Sequence, residues 1–415
     1  MNEARGTLRD VCEAIVDCEH KTAPTQPDGY PSIRTPNIGR GRLILDGVNR
    51  VSQETYAAWT RRMMPRAGDL ILAREAPVGN VAIIPPRLKA CLGQRTVLIR
   101  AAASKVLPSY LVYLLLGDEV QGHIASVSNG ATVHHLNVQD IRNLPLPPLP
   151  PLDEQRRIAS ILSAYDDLIE NNTRRIAILE EMARRIYEEW FVHFRFPGHE
   201  RVRMVDSELG SLPAGWRWVK LKEVAHVNRK SIKRDREPEQ IVYVDISSVA
   251  TGSINKKEAM AYEAAPGRAR RIVADGDVIW ACVRPNRKSF SLVLDPEPNL
   301  IVSTGFAVLS AVAVPWTFLY QAVTTEDFVA YLTNHAKGAA YPAVGAEDFK
   351  NAEFVLPDDA TLRTFNDAAE PMARLISTLQ RNNTNLRTTR DLLLPRLISG
   401  ELDVSALHEP EAVAA

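Results

Sequence analysis

Gly68-Asp69-Leu70-Ile71-Leu72-Ala73 and Gly276-Asp277-Val278-Ile279-Trp280-Ala281 share one pattern, 208 residues apart. Each is an apolar run of strand length entered through glycine and aspartate. The spacing recurs downstream: Asn129-Gly130-Ala131 faces Lys337-Gly338-Ala339, and Asp140-Ile141-Arg142-Asn143 faces Asp348-Phe349-Lys350-Asn351. Upstream, Leu8-Arg9-Asp10-Val11 matches Leu221-Lys222-Glu223-Val224 at an offset of 213. Asn171-Asn172-Thr173 matches Asn382-Asn383-Thr384 at an offset of 211. Five matches in one order, with small drifts in offset, indicate a duplicated unit that has gained and lost loop residues.

Each copy changes character at a boundary. In the first, Leu144 to Pro151 is proline-rich and cannot continue a helix or a central strand. In the second, the boundary shrinks to Val355-Leu356-Pro357-Asp358-Asp359. Short β-rich runs precede each boundary, and a helical pattern follows. Ile158, Tyr165, Asn172, Leu179 and Ile186 lie seven apart, as do Phe365, Met372, Leu379, Leu386 and Leu393. These ten positions are the expected core of two long helices starting near Asp153 and Thr361, roughly 55–60 Å each at about 1.5 Å per residue. A helix of that length overhangs a domain of about 150 residues, which favours a helix pair over two helices each lying on its own domain. Asn172 and Asn382/Asn383 read either as register-fixing core asparagines or as solvated residues at the stripe edge. Pro395 is expected to end or kink the second helix near Leu394.

The expected fold class is therefore α+β, a tandem duplicated unit with two α/β domains separated by two long antiparallel coiled-coil-like helices. The expected division is 1–150 for the first domain, 151–196 for the central helical spacer, 197–357 for the second domain and 358–403 for the distal helical spacer. An acidic tail, 404–415, is expected to be disordered.

Composition narrows the function classes. The 415 residues hold 45% apolar side chains, enough for two or three domains. Fifty basic and fifty acidic residues cancel, which excludes a polycation that binds nucleic acid by bulk charge. Residues 1–150 nevertheless carry 17 basic against 13 acidic groups, and residues 397–415 carry none against four. Four cysteines without a CxxC pair point to a reducing compartment. The N-terminal MNEARGTLRD has no apolar core and does not read as a secretory signal. Val106–Leu116, the longest apolar stretch, is interrupted by Pro108 and is too short for a bilayer. The expectation is a soluble cytoplasmic protein without membrane contact.

Catalytic signatures are missing. No GxxxxGK[ST], Asn-Pro-Pro-aromatic, GxSxG or HExxH motif occurs. Asp153-Glu154-Gln155 reads as the first turn of a helix, where acidic charge is favourable. Cys12, Cys18 and His20 lack a second pair at finger spacing and read as ordinary packing, so no metal site is expected. His134 and His135 read as loop residues with no carboxylate nearby to orient them.

What remains is a set of polar loop side chains suited to base edges. The first copy offers Arg74, Gln94, Arg95, Asn129, Thr132, His134 and His135; the second offers Arg284, Asn286, Arg287, Lys288, Thr304, Lys337 and Tyr341. Arginine pairs with guanine O6/N7, and asparagine or glutamine with adenine N6/N7. Lysine and loop amides hold phosphates, and the basic run from Arg229 to Arg236 could track a backbone. Singly, each reads as solvated surface. The case rests on recurrence, with Arg74 near Arg284 and Asn129 opposite Lys337.

The chain resembles the specificity subunits of type I restriction–modification enzymes. Gly68 to Glu75, Val78 to Ile84, Cys91 to Arg95, Leu212-Pro-Ala-Gly-Trp-Arg-Trp218, Leu146 to Ile158 and Leu392 to Leu402 carry the resemblance. It departs at Pro357-Asp358-Asp359-Ala360, where the second copy lacks an Asp-Glu-Gln-Arg run. The resemblance implies two target-recognition domains, each reading one half of a bipartite double-stranded DNA site, and a helical spacer between them. It also implies a chain that is no enzyme by itself and holds no cofactor. Two methyltransferase subunits and translocating endonuclease subunits would supply catalysis, with S-adenosylmethionine, ATP and Mg2+ in those partners. Two other classes stay open. A self-sufficient nuclease or methyltransferase would act on DNA alone when given those cofactors; a coiled-coil scaffold without a DNA role would give no gel shift with the methyltransferase.

Overall fold

The computed structural model describes residues 6–128, 135–208, 210–233 and 237–405. The chain packs as two units. One comprises Met1–Asn171 with Asn382–Ala415, the other Asn172–Arg381. Both cuts fall inside the long helices, Leu152–Tyr187 and Asp359–Ile398, at the two asparagine pairs. Each helix thus belongs to one unit over part of its length and to the other over the rest.

The first unit is built on a sheet in the order Cys12–Asp17, Thr96–Ala101, Leu70–Ala73, Val81–Ile83, Gly41–Arg42. The second repeats its first four members as Ala225–Val227, Phe306–Ala311, Val278–Ala281, Phe290–Leu292. Register is preserved as well: Leu70 pairs with Ile99 and Val278 with Leu309. The quoted apolar runs are the third strands, buried at every residue, which explains their unbroken rather than alternating hydrophobicity. Their Gly-Asp entry has one mechanical role in both copies. Gly68 and Gly276 take positive φ, and the Asp69 and Asp277 carboxylates accept the N–H three residues back, from Arg66 and Ala274, each at 2.8 Å. Each unit carries a further small sheet with one parallel pair, Tyr30–Ile33 with Cys91–Leu92 and Gln240–Val244 with Leu300–Ser303.

All ten heptad positions are buried or half-buried. In the first unit, Ile158 and Leu162 share a core with Leu394 and Leu397, and Asp166 pairs with Arg390, so the helix segments run antiparallel. Asp166 also accepts the Tyr113 hydroxyl at 2.6 Å. Gln155, almost wholly buried, ties the helix start to the domain by accepting the Leu107 N–H at 2.9 Å. Asn383 is buried and directs its amide at the Ile169 carbonyl, 3.4 Å away. In the second unit, Tyr187 and Phe191 pack with Phe365 and Phe318.

Two helix ends depart from expectation. Pro395 does not end the second helix, which runs to Ile398 and terminates at Gly400, in positive φ, with Leu402 N–H bonded to the Arg396 carbonyl. Pro371 also lies within this helix. A proline costs an N–H and crowds the carbonyl four back, but burial of Leu394 and Leu397 holds the last turn in place. At the other end, the boundary without an Asp-Glu-Gln-Arg run starts its helix cleanly. The Asp358 carboxylate caps Ala360 N–H and Thr361 N–H at 3.0 Å each and accepts the Trp216 indole N–H at 3.0 Å. Trp216 lies in the Leu212–Trp218 motif, so that motif anchors the helix start.

Burial opposes ionisation of Asp358, but the bonds from Thr361, Trp216 and Ala360 outweigh it and hold the carboxyl below its ordinary range. Its stabilisation is full above the unfolded carboxyl value and is lost as pH falls through the lowered one. Asp358→Ala should cost about 1 kcal/mol or more at neutral pH, read by thermal unfolding. Asp358→Asn should keep most of the cap while flattening the acid limb of the stability curve.

Candidate nucleic-acid interface

In the first unit, polar side chains gather where the Leu70–Ala73 strand ends. Arg74 is buried at 6% exposure. Its Nη1 donates to both Asp17 oxygens at 2.9 and 3.0 Å, its Nε to the Leu136 carbonyl at 2.8 Å, and its Nη2 faces His135 Nε2 at 2.9 Å. His135 Nδ1 faces Glu75 Oε1 at 3.0 Å. A carboxylate on one ring nitrogen and a guanidinium on the other assign the proton to Nδ1. Glu75 also pairs with Arg95 Nε at 2.8 Å, and Asp17 with His20 Nε2 at 3.0 Å. Gln94 donates to the His20 carbonyl at 3.2 Å and accepts from Thr22 at 3.3 Å. The result is one network running His20, Asp17, Arg74, His135, Glu75, Arg95. Its outermost cation, Arg95, sits in positive φ with 62% of its side chain exposed. Asn129, Thr132 and His134 lie outside the described residues.

In the second unit, two segments meet beyond the Val278–Ala281 strand. Val283 and Lys337 both bridge Ala343, and Arg284 N–H donates to the Pro342 carbonyl at 2.7 Å. The Arg284 guanidinium lies 4.8 Å from the centre of the Tyr341 ring and donates to the Ala340 carbonyl at 3.1 Å. Arg284 and Lys288, both in positive φ, bracket a single turn of Pro285–Arg287 that presents Asn286 and Arg287 to solvent. Lys288 Nζ is paired with Glu326 at 2.5 Å. Thr304 and Lys337 are exposed, as is Tyr341. Asn286, Arg287, Thr304, Lys337 and Tyr341 are thus exposed, Arg284 is half-buried against Tyr341, and Lys288 is engaged by Glu326.

Residues 5–181 match the family model described as type I restriction modification DNA specificity domain. The type I restriction enzyme MjaIX specificity subunit of Methanocaldococcus jannaschii is 24% identical over 374 residues, covering 88% of this chain and 84% of that one. The MjaVIII specificity subunit of the same organism is 23% identical, covering 72% and 71%. The chain is thus similar to type I restriction–modification specificity subunits over most of its length. Its fold agrees: the crystal structure of the S subunit from M. genitalium superposes with a TM-score of 0.60 at 14% identity, covering 95% of each chain. The match to a DNA specificity domain and to relatives named as specificity subunits supports a DNA-recognition role for this chain. None of its described helices is long and apolar enough to cross a membrane.

Two sequence readings need correction. The first set Arg74 near Arg284. Arg74 N–H bonds to the Arg95 carbonyl and Leu136 N–H to the Arg74 carbonyl; the same two bonds in the second unit join Cys282 to Gly305 and Val344 to Cys282. Cys282 is therefore the counterpart of Arg74, Gly305 of Arg95 and Thr304 of Gln94. Burial pushes the Cys282 thiol up to about 11, so it sits there neutral. The second held that no carboxylate orients the histidines. Glu75 orients His135 across 60 residues of chain, a pairing no local pattern reports. Asp17 and His20 were missed for the same reason.

The contrast within the first network is testable. Arg74→Ala strands Asp17 and His135 and should destabilise the subunit by about 3 kcal/mol. Arg95→Ala removes a largely exposed pair and should cost less than about 1 kcal/mol in the same unfolding experiment.

Proposed function

We propose that each unit reads one half of a bipartite DNA target through the loops just described. In the first, Arg95, Gln94 and His135 face the bases and Arg74 acts as the strut behind them; Asn129, Thr132 and His134, which precede His135 in the sequence, are proposed to read bases with them. In the second, Arg284, Asn286, Arg287, Thr304, Lys337 and Tyr341 form the reading surface, and Lys288 steadies it. The observation that carries this reading is the pairing of one repeated scaffold with unlike side chains at matching loop positions, Arg74 against Cys282 and Arg95 against Gly305. A duplicated frame with divergent tips is what two half-sites of different sequence require.

The long helices, in this reading, set the gap between half-sites and carry two methyltransferase subunits; translocating endonuclease subunits join for cleavage. S-adenosylmethionine, ATP and Mg2+ act in those partners. Ile178 and Met182, one turn apart on the first long helix, are 59% and 44% exposed and offer an apolar strip for a partner helix. The recognition domains correspond to residues 1–150 and 197–357, and the helical regions to 151–196 and 358–403.

Two outcomes test this. In the assembled complex, Arg95→Ala should relax one base position by about 1–3 kcal/mol and leave the others unchanged; an equal loss on all sequences would make it a phosphate contact. A seven-residue insertion after Leu179 needs a matching one in the second helix. Leu179 lies eight residues before Tyr187, whose partner is Phe365, which puts the matching insertion after Met372. The double insertion lengthens the helices by roughly 10 Å, about three base pairs. Sequencing of methylated sites should show unchanged half-sites and a longer gap; an unchanged gap in an active variant refutes the spacer role.

A further inference from the structure

Two of the repeated segments take no part in the reading loops: Leu8–Val11 with Leu221–Val224, and 140–143 with 348–351. In each unit the structure brings the two together. Leu8 N–H bonds to the Leu144 carbonyl and Leu221 N–H to the Ala352 carbonyl, both at 2.9 Å. Arg9 Nη2 donates to Asn143 Oδ1 at 2.9 Å. Both pairs flank an open groove, of about 470 Å³ in the first unit and about 520 Å³ in the second, along the outermost strand of the main sheet. Arg9 and Arg142 line the first groove beside Cys12–Ile15; Lys222, Lys350 and Arg229 line the second beside Ala225–Val227.

The two copies compare informatively. Neighbours in the groove have drifted, Cys12 to Ala225, Glu13 to His226, Ala14 to Val227 and Gln139 to Glu347. A cation is kept at two places, Arg9 with Lys222 and Arg142 with Lys350. These cations come from the turn before the strand and from a helix across the groove. In the first unit the edge strand leads on from the groove to Asp17, beside Arg74, a distance of about 17 Å from Cys12. That is a few nucleotides of duplex at about 3.4 Å each.

We propose that each groove holds the sugar–phosphate backbone of the duplex whose bases the adjoining loops read, a contact that rests on the DNA-reading function above. Strand-edge amides and two or more cations supply donors for phosphate oxygens. The second groove is the stronger: three cations line it, Lys230 and Lys233 follow Arg229 along the chain, and the carboxylate nearby, Glu347, pairs with Lys350 at 2.7 Å. The first holds Glu13 opposite its two arginines.

The test uses the complex assembled with methyltransferase subunits and two duplexes, one carrying the methylated target and one scrambled. For Lys222→Gln with Lys350→Gln, the slope of log affinity against log salt should fall by about 2, near 0.9 per lost phosphate contact, with the target-to-scrambled ratio unchanged. Lys222→Arg should retain the wild-type slope. Arg229→Gln, as an independent variant, should lower it by about 0.9. Unchanged slopes in folded, assembled variants overturn the proposal, as does a fall in the target-to-scrambled ratio at constant slope. Loss of methyltransferase subunits without a change in DNA affinity would make the groove a protein contact and overturn it too. Failure of the wild-type complex to distinguish the two duplexes would instead refute the reading function itself.

Discussion

A buried carboxylate, that of Asp166, is the constraint on which the first unit depends. It sits on the first long helix with 4% exposure and is met by the Tyr113 hydroxyl from the domain and by Arg390 from the second long helix. An ion stripped of water costs several kcal/mol unless its partners are all in place. A slip of either helix by one turn would leave the charge alone, so this one contact fixes the helix register more sharply than the apolar stripe can. Burial and the neighbouring carboxylate push the Tyr113 hydroxyl far above its ordinary range, keeping it a donor. For Arg390, burial opposes the charge, but Asp166 outweighs it. Gly41, in positive φ, stands against the same oxygen, where a Cβ would come within 3.2 Å.

The second unit solves the same problem by different means. Glu180 of the first long helix and the Tyr320 hydroxyl both face Gly252, again in positive φ, and among the described residues no arginine is paired with Glu180. Burial raises the Glu180 carboxyl above its usual value. Weight shifts instead to rings: Tyr187, Phe191, Phe318 and Phe365 pack edge to face, with Trp216 against Phe191. Duplication has kept the geometry of glycine, tyrosine and helix while exchanging an ionic lock for an aromatic one.

How much of this was legible depends on how far apart in sequence the partners lie. The Gly-Asp turns, the buried third strands and both heptad stripes are local patterns, and each was readable because its cause lies within a few residues. The Asp358 cap was equally local, yet was obscured by comparison with the other copy's Asp-Glu-Gln-Arg run. The network around Arg74 was not readable. Its members come from Asp17, Glu75 and His135, and nothing near Arg74 distinguishes a spent guanidinium from a free one. The same holds for the basic grooves, whose two halves were visible as repeats but whose meeting is a tertiary fact.

The division of the helices has a consequence for the order in which the molecule can be completed. The second unit is one continuous stretch, Asn172–Arg381, and has all its parts once that stretch exists. The first unit is not: it needs Asn382 onward to supply Arg390, Leu394 and Leu397. During synthesis from the N-terminus, the domain made first is finished last. Until then Ile158 and Leu162 lack their cover and Asp166 its countercharge, while some 210 residues are added between. The segment from Asn382 onward is thus a missing wall of the first unit, and the nascent protein must wait with that side unbuilt.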